Sequence, residues 1–195
     1  MSIQFAEFCK TAQDLSHNAL SQLSRLVLEL PQNKDLFSYS VHYERVDKLV
    51  LYNSHDMRFQ IRLHVYSSPS GQSHHSGLID IEQAHNHRWN FSTRILSGGY
   101  HHTIYNSQLS PIMVRYEGVG SCYALHHSQY HSIKEDPNTV SLIVRGPLEK
   151  ESFQVATLEE GTVQPKDAHK VQRNMNLADY ERVVNQLGAL KLVGL

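Results

Sequence analysis

Two imidazoles set two residues apart carry the first chemistry in this 195-residue chain: His85-Asn86-His87, followed by a β-rich run and closed by Ser97-Gly98-Gly99-Tyr100. In an extended strand residues i and i+2 share a face, so His85 and His87 would stand side by side and offer two lone pairs to one ion. A metal needs several such nitrogens converging at about 2.0 to 2.2 Å, and the next must come from another strand. The segment Leu125-His126-His127-Ser128-Gln129-Tyr130-His131 offers three. His131 is the choice, because it begins a new β-like run after the turn at Ser128-Gln129. Adjacent His126 and His127 must diverge to opposite faces, and either is the alternative ligand. His74, His75, His101 and His102 read as surface residues.

The elements that must position these side chains are mostly strands. The clearest covers 59–66, where Phe59, Ile61, Leu63 and Val65 take one face and Gln60, Arg62, His64 and Tyr66 the other. Its apolar face would pack under helices and its polar face would meet water or line a cavity. Short β-like runs recur at 48–52, 78–82, 89–96, 99–105, 112–116, 121–125, 129–133, 139–144 and 152–156, separated by turn-forming residues such as Asp136-Pro137-Asn138 and Gly146-Pro147. Many short strands without helical patterns between them indicate a sandwich, jelly roll or barrel. Helices flank them. Residues 3–30 carry an apolar face in two pieces, Phe5, Phe8 and Leu15, then Leu20, Leu23, Val27 and Leu30, stopped by Pro31. From Asn176, an N-cap residue with Asp179 three positions on, Leu177, Tyr180, Val184, Leu187 and Leu190 form the stripe of a last helix. The stretch 32–45 is mixed and has no assignment, and 159–173 reads as a polar connector. The chain is one domain over 1–195: a helical segment 1–47 packed on a β barrel 48–165, and a helix 176–193.

Composition bounds the partners. Lys plus Arg number 18 against 19 Asp plus Glu, with no long basic run, so there is no electrostatic footprint for nucleic acid or an anionic membrane. No apolar run approaches the roughly 20 residues that span a bilayer. The two cysteines, Cys9 and Cys122, lie far apart in no paired motif, and no signal-like segment precedes the helices, which predicts a reduced, cytoplasmic protein. Nor is there a Gly-x-Ser-x-Gly nucleophile elbow. A small molecule is the expected partner, and an edge strand offers a route to a homodimer.

Together, His85-Asn86-His87, Leu96-Ser97-Gly98-Gly99-Tyr100, and His131-Ser132-Ile133 leading to Ser141-Leu142-Ile143-Val144-Arg145-Gly146-Pro147 resemble the two motifs of a cupin. The arrangement is most similar to the thiol-dioxygenase branch, which holds Fe(II) with three histidines. The match covers roughly 48–156. It implies a double-stranded β-helix, a jelly-roll barrel, with His85, His87 and His131 as metal ligands inside it. Where cupins usually carry a carboxylate after the second histidine, this chain has Phe91 and Ser92, which favours a three-histidine site with open positions. The animal-type enzymes have a cysteine near Ser92, cross-linked to a tyrosine of a Ser-x-His-x-Tyr strand. Here that strand reads Ser141, Ile143, Arg145, so the cross-link cannot form and only the serine of the relay remains. The fold and ligands carry over; the thiol substrate does not.

The same alignment turns Arg62, His64 and Tyr66 towards the pocket, with Arg145 sharing the parity of Ser141. A buried guanidinium needs an anionic partner, which a substrate carboxylate or phosphate would supply. Arg94 is a weaker candidate. The expected activity is a non-haem Fe(II) oxygenase that takes O₂ and a small anionic substrate, with Tyr66 or Tyr100 hydrogen-bonding bound oxygen or delivering a proton. Imidazoles also suit Zn, Ni or Mn, so a non-redox lyase or isomerase is the alternative, and a small-molecule-binding barrel without catalysis a third.

Overall fold

The computed structural model describes residues 4–43, 45–67, 83–157, 162–166 and 173–194. Helix α1 (Phe5–Ser21) buries Phe8, Ala12, Ser16 and Ala19 along one stripe, and α2 (Leu23–Leu28) continues with Leu23 and Val27. The alanines let α1 lie close on the sheet. At the contact Gly146 is required, since a Cβ there would sit 2.9 Å from the Phe8 ring. A short α3 (Lys34–Ser38) follows, capped by the Asn33 side chain, which accepts from the Leu36 amide.

The strands are β1 (Val41–His42), β2 (Val46–Asn53), β3 (Gln60–Tyr66), β4 (Trp89–Ser97), β5 (Gly99–Tyr105), β6 (Pro111–Gly118), β7 (Cys122–Leu125), β8 (Tyr130–Glu135), β9 (Val140–Leu148), β10 (Phe153–Thr157), β11 (Thr162–Lys166) and β12 (Arg173–Asn174). A seven-stranded antiparallel sheet runs β12-β1-β2-β3-β9-β4-β7; the others are β6-β5-β8 and the pair β10-β11. The last helix, α4 (Leu177–Ala189), starts in a reciprocal Asn176/Asp179 capping box. This is the mainly β, helix-flanked architecture that the alternation and turn spacing imply.

The main core lies outside the large sheet. Ile61, Leu63 and Val65 of β3 and Val140, Leu142 and Val144 of β9 pack under Phe8, Ala12 and Val27 from the N-terminal helices and Tyr180, Val183, Val184 and Leu187 from α4. Each such side chain contributes roughly 1.5 to 3 kcal/mol by leaving water. The opposite face of β2, β3 and β9 is thereby left to line a cavity.

Several boundaries differ from the sequence reading. The unassigned stretch 32–45 holds α3 and β1, so the sheet begins at Val41, ahead of residue 48. The connector 159–173 contributes β11, whose pairing with β10 no periodicity announced. In α4 the buried stripe uses Val183, whereas Leu177 in the first turn is 56% exposed. The expected strand at 78–82 and His74 and His75 lie outside the described residues. No helix among them is long and apolar enough to cross a membrane.

Candidate metal centre

His85, His87 and His131 come together inside the barrel, with one ring nitrogen of each within 4.8 Å of the others. The backbone does much of this. His85 lies ahead of β4, in an isolated bridge rather than a named strand. Its amide and carbonyl exchange hydrogen bonds of 2.9 Å with those of His131, which sets the two rings opposite each other. Asn86, between the histidines, is pinned to β10: its carboxamide donates to Gln154 Oε1 and accepts from the Gln154 amide, both at 2.8 Å. That anchoring turns His87 back towards His85, with ring centroids 5.0 Å apart.

The donor set fits a transition metal. His87 Nε2 and His131 Nε2 are 2.8 Å apart. Two nitrogens bound to one ion at a right angle, each at about 2.1 Å, would be about 3.0 Å apart. His85 donates Nδ1–H to the Gln83 carbonyl at 3.0 Å, leaving Nε2 as its free lone pair. Burial is the first cause that lowers the pKa of all three, well below the usual value for His87 and His131, and neighbouring imidazoles push the same way. They are therefore neutral near pH 7, the form that can ligate. Phe91 packs edge-on against His87, with ring centroids 4.5 Å apart.

The cluster opens into a cavity of about 130 Å³. Arg62, His64, Tyr66, Tyr100 and Arg145, all singled out from the sequence, line it. Strand register explains why: His64 pairs with Ser141 and Arg62 with Ile143, so the polar face of β3 and the Ser141/Ile143/Arg145 face of β9 are one wall. Arg94 is absent from the lining. His126 is exposed against Phe5, and His127 is held by the Asn90 side chain, so neither alternative ligand joins the cluster. A larger cleft, about 550 Å³ around α2 and α3, holds none of the histidines.

Sequence reasoning missed several members. Lys48 lines the cavity beside His64, its cross-strand partner. Its pKa is brought down to about 7, first by burial and then by the Arg62 charge. Arg62 in turn falls to about 9, through burial and Arg145, and stays charged at neutral pH. The Trp89 ring lies near both guanidinium groups, 5.7 Å from that of Arg62 and 4.6 Å from that of Arg145. Tyr123 hydrogen-bonds Tyr100, and burial raises both phenols, Tyr100 to about 12, so each is a proton donor. The Lys48 signal was present in the alternation Val46, Lys48, Val50, but too short to read alone.

His102 is a correction. Expected on the surface, it is fully buried. Its Nδ1 lies 3.3 Å from Glu117 Oε1 and its Nε2 3.1 Å from His131 Nδ1. In β5, His101 points out and His102 in. A His-His pair in a strand must place one ring inside, and pattern alone did not say which.

No family model matches the chain, and no curated protein matches it. Solved structures similar in fold include KdgF from Halomonas sp., 8% identical over 53% of this chain and 82% of that one, TM-score 0.40. A single-site variant of Bacillus subtilis oxalate decarboxylase is 11% identical, covering 65% of this chain and 30% of that one, TM-score 0.44. An Fe(II)-HppE with the alternative substrate (S)-1-HPP is 10% identical, covering 53% and 50%, TM-score 0.39.

Proposed function

We propose that this protein is a metal-dependent enzyme, a non-haem Fe(II) oxygenase acting on a small anionic molecule. One observation carries the reading: three neutral imidazoles without a carboxylate stand in a cavity whose described lining bears Lys48, Arg62 and Arg145 and no acidic residue. When bound, Fe(II) would supply open coordination positions and one-electron chemistry towards O₂. The chain's own groups do the rest. His85, His87 and His131 would hold the ion. Arg62 and Arg145 offer planar forks to a carboxylate or phosphate, and Lys48 adds a point charge. Among the described residues the His64 Nε2, Ser141 Oγ and Arg145 Nε atoms are buried without a hydrogen-bond partner, and a polar ligand would satisfy them. Phe91, Ile133 and Ile143 add an apolar part to the lining that would limit water. Tyr66 or Tyr100 would deliver a proton from a phenol that burial keeps protonated.

Other features complete the proposal. The two cysteines are free, in accord with a reducing, cytoplasmic setting. Edge strand β6 exposes Ile112, Val114 and Tyr116, the side through which a homodimer would form.

Metal analysis of protein purified after growth in metal-supplemented medium is the test. Near-stoichiometric iron in the wild type and its loss in His87→Ala support the reading; wild type with only trace metal overturns it. Turnover of a small carboxylate or phosphate that consumes O₂ assigns the oxygenase. Equal turnover without O₂ moves the site to non-redox Zn, Ni or Mn chemistry.

A further inference from the structure

His131 has a second ring nitrogen, and what it meets is a buried chain across three neighbouring strands. Its Nδ1 lies 3.1 Å from His102 Nε2, and His102 Nδ1 lies 3.3 Å from Glu117 Oε1. His131 comes from β8, His102 from the central strand β5, and Glu117 from β6. All three are at least nine-tenths buried. Arg115 Nε–H also donates to Glu117 Oε1, fixing that carboxylate from its solvent side.

The direction of the chain follows from donor counting. A carboxylate only accepts, so His102 must present Nδ1–H to it. A neutral imidazole then has its lone pair on Nε2, so His102 accepts from His131 Nδ1–H. His131 is left with its lone pair on Nε2, the atom that faces His87 Nε2 at 2.8 Å. The reverse arrangement, His102 carrying both protons, would turn an N–H of His131 into the cluster and leave no electrons to donate. Glu117 already has a cationic partner in Arg115, which donates to the same oxygen, so the chain is complete with a neutral His102.

We infer that Glu117, acting through His102, is a positioning residue that locks His131 in its Nδ1–H tautomer and so presents the Nε2 lone pair to the metal centre. It rests on the proposed metal site. The role matches the general pattern in which a partner on the far nitrogen of a ligating histidine fixes the ring and raises its basicity, here extended by one imidazole. The sequence reading placed His102 on the surface and gave Glu117 no role.

The experiment has two arms. In the first, long-range proton–nitrogen correlation spectra of the ¹⁵N-histidine-labelled, metal-free wild type report each tautomer directly. The Nδ1–H form is expected at both His102 and His131; an Nε2–H form at His131 overturns the inference without any variant. In the second, Fe(II) and Zn(II) affinities are measured by chelator competition for wild type, Glu117→Gln and Glu117→Asp. Loss of the carboxylate in Glu117→Gln should weaken binding roughly 10- to 100-fold, with Glu117→Asp recovering part of it and the His131 signals of Glu117→Gln split between tautomers. A purely structural role would lower the melting temperature and leave the His131 tautomer and affinity unchanged, which also overturns it. If the wild type shows the expected tautomers and takes up no metal, the proposed function fails while the tautomer lock stands. If metal binds and His131 is Nε2–H in the metal-free protein, the lock fails alone.

Discussion

Replacing Arg145 by methionine should stabilise the ligand-free protein and abolish most of its protection by anions. The Arg62 and Arg145 guanidinium carbons lie 5.7 and 4.6 Å from the same indole centroid, so they are no more than about 10 Å apart. At an effective dielectric of about 20, like charges at that distance repel by about 1.6 kcal/mol. Partial solvent access reduces this to about 1 kcal/mol. The lost cation–π contact with Trp89 is worth about 0.5 to 1 kcal/mol, which a thioether on the same ring recovers in large part. The net gain of about 0.5 to 1 kcal/mol corresponds to a rise of about 1 to 4 °C in melting temperature for a chain of this size. Anion at 100 times its dissociation constant should add about 2.7 kcal/mol to the wild type, reversing the order. Thermal denaturation of both proteins at low ionic strength, with and without malonate or phosphate, reads all of this. An Arg145→Met protein that melts below wild type without anion would mean that Arg145 already has an internal partner. Equal protection of both proteins by the anion would refute its role in binding.

Two further outcomes follow from other residues. Lys48, brought to a pKa of about 7 by burial and the Arg62 charge, should regain its proton when an anion binds beside it. Binding therefore takes up a proton above pH 7, and affinity falls as pH rises through that value. Calorimetric titration with malonate at about pH 8 in two buffers of different ionisation enthalpy measures the uptake, and uptake undiminished in Lys48→Met would exclude Lys48 as its source. At the β4–β5 turn, Gly98 has φ +63° and its missing Cβ would lie 2.6 Å from Thr139 Oγ1. Gly98→Ala should cost at least about 1 to 2 kcal/mol, and a melting temperature unchanged by the substitution would show that the turn relaxes freely.

Burial period and turn chemistry were legible from residue order. The β3 alternation, the Asn176 capping box and the glycine turn after β4 each depend on neighbours within a few residues, and each stands as read. Boundaries were weaker where short elements rely on distant partners. β1 and β12 are two residues each and exist because β1 pairs with β2 on one side and with β12 on the other. β11 exists because β10 runs beside it.

The candidate site divides the same way. By itself the sequence determined which residues had ligating or charged chemistry, and on strands it determined which of them share a face. Thus His85, His87 and His131, with Arg62, His64, Tyr66, Tyr100 and Arg145, were all nameable in advance. Only tertiary structure decided what meets what. The His85–His131 backbone pair closes the cluster across 46 residues. Register across β2, β3 and β9 brings Lys48 to the arginines. The inward turn of β5 makes His102 and Glu117 a buried chain behind His131. Periodicity reports a side chain's face relative to its own strand; which side of the sheet is the interior depends on where the helices dock, and that is a property of the whole chain.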